Sequence, residues 1–454
     1  MKKEFRILTP TGMLGYGFPR EEVWAGLEFN PDIIAVDSGS TDSGPQKLGL
    51  GDMTCPRDNY KNDMGILLEV CAKKKIPVWI SSAGGDGSNK HVDVFIDIIR
   101  EICAENGYHF NVGVIYADMD RDFVHKKLAE SRVRPCGPLE DLTDAEIDAA
   151  TVIVAQMGAE PFIKAVKESP KPLDIIISGR SYDPSPMAAA GLMAGFDPGY
   201  CWHLGKIIEC GGMCAEPRQH VIIGTLMEDG FTVEPVCHDG KCSPASVAAH
   251  TLYEKSHPYL LPGPGGVLDL YNCKFEQYGE YAVKVTGSKF VPNTYTVKME
   301  GSRVVGFRSI CVAGIRDSIL IGQIDDYLDR LRKDVEHKYP RLVTEDCCQL
   351  IFHVYGKNGV MGDLEPDLET VPKELCVIIE TVGETQAEAQ RICNMARTGI
   401  LHQNYPGRIA TAGNCGLPFT PLEIPLGNVC RFTVYHLMEL DDPTEVFPIK
   451  YLEV

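Results

Sequence analysis

The chain has 454 residues, 44% hydrophobic and 24% charged, the balance of an ordinary globular protein. That length is too great for one compact core, so two or three domains are expected. With 44 Lys and Arg against 63 Asp and Glu the net charge is −19, which argues against nucleic acid or an anionic membrane as partner, while an anionic substrate needs only one local Arg or Lys cluster. The N-terminal MKKEFRILTPTG has too brief an apolar stretch for a signal peptide. No run approaches the length that spans a bilayer, so a cytoplasmic location is expected. The 17 cysteines then read as free thiols, metal ligands or small buried hydrophobes rather than disulfides. None forms a CxxC pair. Cys210 and Cys214 flank Gly-Gly-Met and Cys347-Cys348 are adjacent, neither a zinc or iron–sulfur spacing.

Residues 5–9 read as a first strand. A Gly-rich turn follows, then a helix opening at Arg20, Glu21 and Glu22. Gly12, Gly15 and Gly17 are spaced GxxGxG rather than GxGxxG, so a dinucleotide fingerprint is not supported. Ile33-Ile34-Ala35-Val36 is a buried strand that breaks into Asp37, Ser38, Gly39, Ser40, Thr41, Asp42, Ser43 and Gly44. Such a loop offers backbone N–H groups, hydroxyls and carboxylates at a strand's carboxyl end, where open α/β sheets bind ligands. A helix over 58–75, a strand over 76–80 and a second polar loop, Ser81-Ser82-Ala83-Gly84-Gly85-Asp86-Gly87, come next. The pattern repeats: helix 89–106 stopped by Gly107, strand 110–116, helix 122–130, a basic connection over 132–137, strand 151–155, helix 161–168, strand 174–177, helix 187–194. This alternation predicts a mostly parallel sheet with helices on both faces, its loops at 10–17, 37–52, 81–88, 117–120, 156–160 and 178–186 gathered on one edge.

From about Val221 the strands become hairpin-like. Ser243-Pro244 opens a helix, residues 257–266 are a proline-rich connection, and alternating strands run through 270–315. A long amphipathic helix is expected over 317–339, a strand over 349–354 and a helix over 385–399. The predicted division is an α/β domain over 1–220 carrying the polar loops and an α+β domain over 221–454 with a lid or assembly role, to which the Gly/Pro-rich loop 413–421 would contribute.

Three groups of residues could carry chemistry. Gly179-Arg180-Ser181-Tyr182-Asp183 places a guanidinium, a planar fork suited to carboxylate or phosphate, one residue past a strand end. The alternative is an Arg180–Asp183 pair that only braces the loop. Glu209 heads a turn through Gly211 and Gly212, where backbone approaches closely and a carboxylate could act as general base. The alternative is a helix C-cap at Gly211 with Glu209 solvated. Asp37, Asp42, Asp52, Asp86 and Asp183 are oxygen donors of the kind magnesium takes, but no spacing singles out a site and loop aspartates commonly cap helices or make Asx turns. No cofactor is firmly implied. A magnesium-dependent phosphotransfer enzyme would need a Walker A motif, for which GGDGSNK is too loose.

The N-terminal Gly-rich turn, ISGRSYDPSPMAAAGL (177–192), IIECGGMCAEP (207–217) and HDGKCSPASVAAHTLYEKSHPYLLPG (238–263) together resemble the acyclic terpene utilisation family, AtuA. The loop VDSGSTDSGPQKLGLGD marks a separate branch of it. The resemblance implies a catabolic context in which branched acyl compounds are broken down, and implies that Glu209 is functional. The resulting expectation is an enzyme of small-molecule catabolism acting by hydration, isomerisation or C–C cleavage on a carboxylate, branched or linked to CoA. Arg180 would anchor the carboxylate beside Asp183. Glu209 or Asp37 would be the base. Ser38, Gly39, Ser40, Gly84, Gly85, Asp86, Ser181, Gly211 and Gly212 would contact substrate. The alternative is a subunit that needs a small partner protein, and a homo-oligomer is expected on general grounds.

Overall fold

The computed structural model describes residues 3–39, 44–253 and 257–454. It is a mixed α/β structure in two compact units, Met1–Arg303 with Phe432–Val454, and Val304–Arg431. No helix among the described residues is long and apolar enough to cross a membrane.

The first unit is built on a ten-stranded sheet. Its centre is five parallel strands in the spatial order Glu4–Thr9, Ile33–Asp37, Val78–Ser81, Ile175–Ser178, Asn111–Ile115. Ile7 pairs with Ile33, Val36 with Ile80, and Ile80 with Ile177. The near-continuous apolar runs have a simple cause: both faces are covered. Ile7, Ala35, Trp79 and Ile176 enter one core with helices Glu160–Lys167, Ser185–Met193 and Pro198–Ile208. Leu8, Val36, Ile80 and Ile177 enter the other with helices Arg57–Lys74 and Asn89–Asn106. Each such buried Ile or Leu contributes about 1.5–3 kcal/mol relative to exposure. Gly107, in the left-handed region, ends the second of these helices where expected.

Antiparallel strands extend the sheet beyond Glu4–Thr9: Ile222–Met227, Gly230–Pro235, Ala282–Thr286 and Lys274–Tyr278. The division expected at residue 220 therefore falls between strands of one sheet. The change from βα units to hairpins marks the parallel centre giving way to an antiparallel flank. Val152–Ala155, expected as a further βα strand, pairs antiparallel with Met299–Ser302 instead. The proline-rich stretch is a hairpin, Leu260–Gly263 with Gly266–Asp269, turning through Pro264 and Gly265. Proline at the first turn position and a glycine at φ +73° at the second suit a type II turn.

In the second unit, Gln349–Tyr355, Leu375–Gly383 and the Phe307–Ile315 part of a long strand pair antiparallel. Leu331 from helix Ile324–Lys338 and Ile392 and Ala396 from helix Gln386–His402 share a buried core with Ile379 and Val377 of that sheet. The helix expected over 317–339 is two, Ser318–Ile321 and Ile324–Lys338, broken at Gly322 and Gln323.

Candidate functional site

The carboxyl ends of the parallel strands deliver their loops to one edge, where the loops bond to one another. Ser38 N–H donates to Ser81 O at 2.9 Å, Ser82 N–H to Gly179 O at 3.1 Å, and Arg180 N–H to Gly87 O at 2.9 Å. Leu14 N–H, from the first loop, reaches Asp37 O at 2.9 Å. The edge is thus a woven backbone platform, which holds side chains more firmly than separate loops would.

Upon it lies a cleft of about 440 Å³, lined by carboxylates from three loops, Asp37, Asp183 and Glu209, with Gly39, Tyr16, Arg218, His220 and Tyr253 around them. Glu209 caps helix Pro198–Ile208, whose start is fixed by Asp197 accepting from Gly199 N–H at 2.8 Å. The following turn is packed backbone on backbone. A Cβ on Gly211, at φ +61°, would stand 2.8 Å from Gly12 N, and one on Gly12 would stand 2.8 Å from Cys210 O. These glycines let the residue 9–12 turn and the residue 209–212 turn touch, which sets Glu209 facing the same space as Asp37.

The electrostatics divide the charged groups into two sets. Arg180 is 4% exposed. Its Nε donates to Glu300 at 2.9 Å, and its Nη1 to Asp183 at 3.1 Å and Ser82 Oγ at 3.2 Å. Burial opposes its charge, but Glu300 and Asp183 outweigh burial and hold it protonated. Glu300 also accepts from Lys298 at 2.9 Å and Gln156 at 3.1 Å. Burial raises its pKa, yet Arg180 and Lys298 bring it down to about 2. Lys206, 3% exposed, is paired with Glu209, and that carboxylate outweighs burial in keeping the ammonium charged. Asp37 stands apart. It accepts from Ser81 Oγ at 2.6 Å and Gly39 N–H at 2.7 Å. Burial and the neighbouring Asp183 nonetheless push its pKa well above the ordinary value, against Arg180.

The expected site residues therefore fall into three places. Asp37, Gly39, Asp183 and Glu209 line the cleft. Arg180 does not line it: the guanidinium expected to take a substrate carboxylate is already matched by carboxylates of the chain, and it braces the platform. Ser181 belongs to the same brace, its N–H donating to Ser82 Oγ and its hydroxyl to Gly179 O. Ser38 is buried beneath, and Gly211 and Gly212 serve the backbone contact. Gly84 and Gly85 turn against His91 and Thr54. Asp86 is bonded to His91 Nδ1 at 2.6 Å and to Ser88. Ser40 and Asp42 lie outside the described residues, and Asp52 is exposed. Among the described residues no three His, Cys, Asp or Glu side chains come together to hold a metal ion. His203 is a satisfied core residue, held by Ser288 Oγ at 2.7 Å and Thr251 Oγ1 at 3.2 Å, with burial lowering its pKa to about 3.

Sequence reasoning passed over Lys206, Lys298, Glu300 and Arg218. Lys206 had a signal, lying three residues before Glu209 on one helix face. Lys298 and Glu300 alternate onto one face of a strand, but nothing local says that Arg180, 120 residues earlier, is their partner.

A model of the acyclic terpene utilisation family protein AtuA matches residues 54–415. The match takes in Arg180, Asp183 and Glu209 and begins after the Asp37 loop. No curated protein and no solved structure matches the chain. With well over half of its length inside that match, the chain belongs to the acyclic terpene utilisation family, AtuA.

Proposed function

We propose that the acidic cleft carries out proton-transfer chemistry on a small carboxylated substrate, of the hydratase, isomerase or lyase kind. The observation that supports this most is the unlike surroundings of its carboxylates. Asp37 is desolvated beside another carboxylate, which favours the protonated acid. Glu209 has an ammonium against it, which favours the ionised base. Titratable groups driven apart in this way supply an acid and a base at one pH. In this reading Glu209 removes a proton from carbon or water, and Asp37 returns one to the other side of the reacting bond. Arg218 at the rim, which has no side-chain ion pair among the described residues, meets the substrate carboxylate. Arg180 is a positioning residue that holds Asp183 and the loop. The substrate in this reading is a branched acyclic carbon chain, free or as a CoA thioester; the family's description, acyclic terpene utilisation, supports the acyclic chain.

The test is hydrogen–deuterium exchange. Short branched carboxylic acids and their CoA thioesters are incubated with the protein in D2O, and loss of C–H signal is followed by proton NMR. Exchange at one carbon, slowed about 10²–10⁴-fold in Glu209→Gln, is the expected result. Exchange at the wild-type rate in the variant, or no exchange across the panel, would count against the proposal.

A second reading makes the chain one subunit of a pair with a small protein. It is supported by apolar side chains exposed in the second unit: Val360 at 84%, Leu364 at 79% and Val371 at 72%. Replacing all three with Ser leaves catalysis intact if the first reading is complete, and removes it if a partner must dock there.

A further inference from the structure

A second cavity, of about 470 Å³, opens in the first unit between the Leu260–Asp269 hairpin, the start of strand Thr296–Ile315 and the paired strands Val133–Pro135 and His436–Met438. Its character is opposite to that of the acidic cleft. Arg134, Lys298 and His257 line it, and the one carboxylate among the described lining residues, Glu439, already faces Arg132 at 3.6 Å. We propose that this cavity is a binding site for a small molecule that carries one compact oxyanion, carboxylate or phosphate, on an apolar body.

The donors support the anion. Lys298 spends two of its three N–H bonds, on Glu300 at 2.9 Å and on Tyr435 OH at 3.0 Å, and has a third to offer. Arg134 makes no side-chain hydrogen bond or ion pair among the described residues, so its five donors face water or a ligand. His257 Nδ1 accepts from the backbone N–H groups of Tyr259 at 3.1 Å and Leu260 at 3.0 Å. In the neutral ring the proton is then on Nε2, a third donor. Two cationic side chains and an imidazole N–H around one cavity, in a chain of net charge −19, gather hydrogen-bond donors that a lone surface lysine does not.

The walls support the apolar body. Leu260, Pro262, Val267, Leu437 and the Tyr182 ring supply them, and the volume suits a small ligand. The glycines of the hairpin do not argue for a ligand, because Gly263 and Gly266 are already filled against Tyr182 and Phe290.

The site is separate from the acidic cleft but joined to it. Tyr182 lines this cavity and Asp183 lines the other. Glu300 bonds both Lys298 here and Arg180 behind the cleft.

Isothermal titration with three matched probes tests the assignment: 3-methylbutanoate, 3-methylbutyl phosphate and the neutral 3-methylbutanol. At least one anion should bind, at least about tenfold tighter than the alcohol, and the tighter of the two identifies the oxyanion. Arg134→Ala removes an exposed side chain whose loss leaves the fold intact, as an unchanged melting point would verify. That variant should weaken the anion about tenfold or more, while Glu209→Gln changes it less than about twofold. No binding by either anion, equal binding of the alcohol, an unaffected Arg134→Ala, or loss of binding in Glu209→Gln would each overturn the proposal. Failure here leaves the chemistry assigned to the acidic cleft untouched, since Glu209→Gln alone reports on that.

Discussion

Arg180 and Lys206 are both buried cations paired with carboxylates, and they do different work. Arg180 sits among Glu300, Asp183 and Asp37; its own guanidinium is off the cleft wall, but Asp183 and Asp37 are on it. Lys206 pairs with one carboxylate, Glu209, which is itself on the cleft wall. The first arrangement shares one cation among carboxylates of several segments and holds loops together. The second sets one cation against one carboxylate of the cleft wall. Burial of charge near a candidate site is therefore no guide to chemistry until the number of carboxylates that share each cation is known.

The largest expected effect breaks the first arrangement. Arg180→Met leaves Glu300 and Asp183 without their shared cation, and removing one member of a buried ion pair costs on the order of 3–5 kcal/mol. Denaturant unfolding measures it, and a midpoint equal to that of the wild type would remove the distinction between the two cations.

Lys206→Met should cost less, roughly 1–3 kcal/mol, because a single carboxylate on a cleft wall is left behind. Its sharper signature is kinetic. Without the ammonium, Glu209 holds its proton more tightly, so the acid limb of the pH–rate profile moves to higher pH. A profile that stays in place would show that Glu209 is not the base.

How far this comparison could be read from sequence follows from what is local. The parallel strands, the two-faced core and the meeting of polar loops on one edge were legible, because apolar runs ending in Gly/Ser/Asp loops carry that information residue by residue. Asp37 and Asp183 were legible as cleft positions for the same reason, while Glu209, at a helix end, was singled out by the family resemblance. The role of Arg180 was legible only in part: the Arg180–Asp183 brace was one of two readings, but its other neutralising partner, Glu300, is a strand residue 120 positions away in a stretch with an unremarkable pattern. The pairing of Val152–Ala155 was not legible, because a short apolar strand reads the same in a parallel or an antiparallel sheet. The donor character of the second cavity needs three distant segments at once.

A smaller effect is expected at the turn beneath Glu209. Gly211→Ala asks an L residue to sit at φ +61° with its Cβ 2.8 Å from Gly12 N. The strain costs about 1–2 kcal/mol in stability and displaces Glu209 enough to lower turnover. Unchanged stability and turnover would mean that the contact between the two turns does not position the carboxylate.

Asp37 is expected to be held as the acid while the cleft around it is charged. For a group whose folded pKa is raised, the stabilising contribution is complete below the unfolded value, about 3.9, and is lost as pH rises through the folded value. Asp37→Asn should thus gain stability over the wild type as pH rises, with the difference vanishing in acid. The direct observation is infrared difference spectroscopy of the carboxylic C=O stretch, wild type minus Asp37→Asn, across that range. A protonated carboxyl band should persist above about pH 5, where ordinary aspartates are ionised. A band that disappears near pH 4 with the surface carboxylates would contradict it.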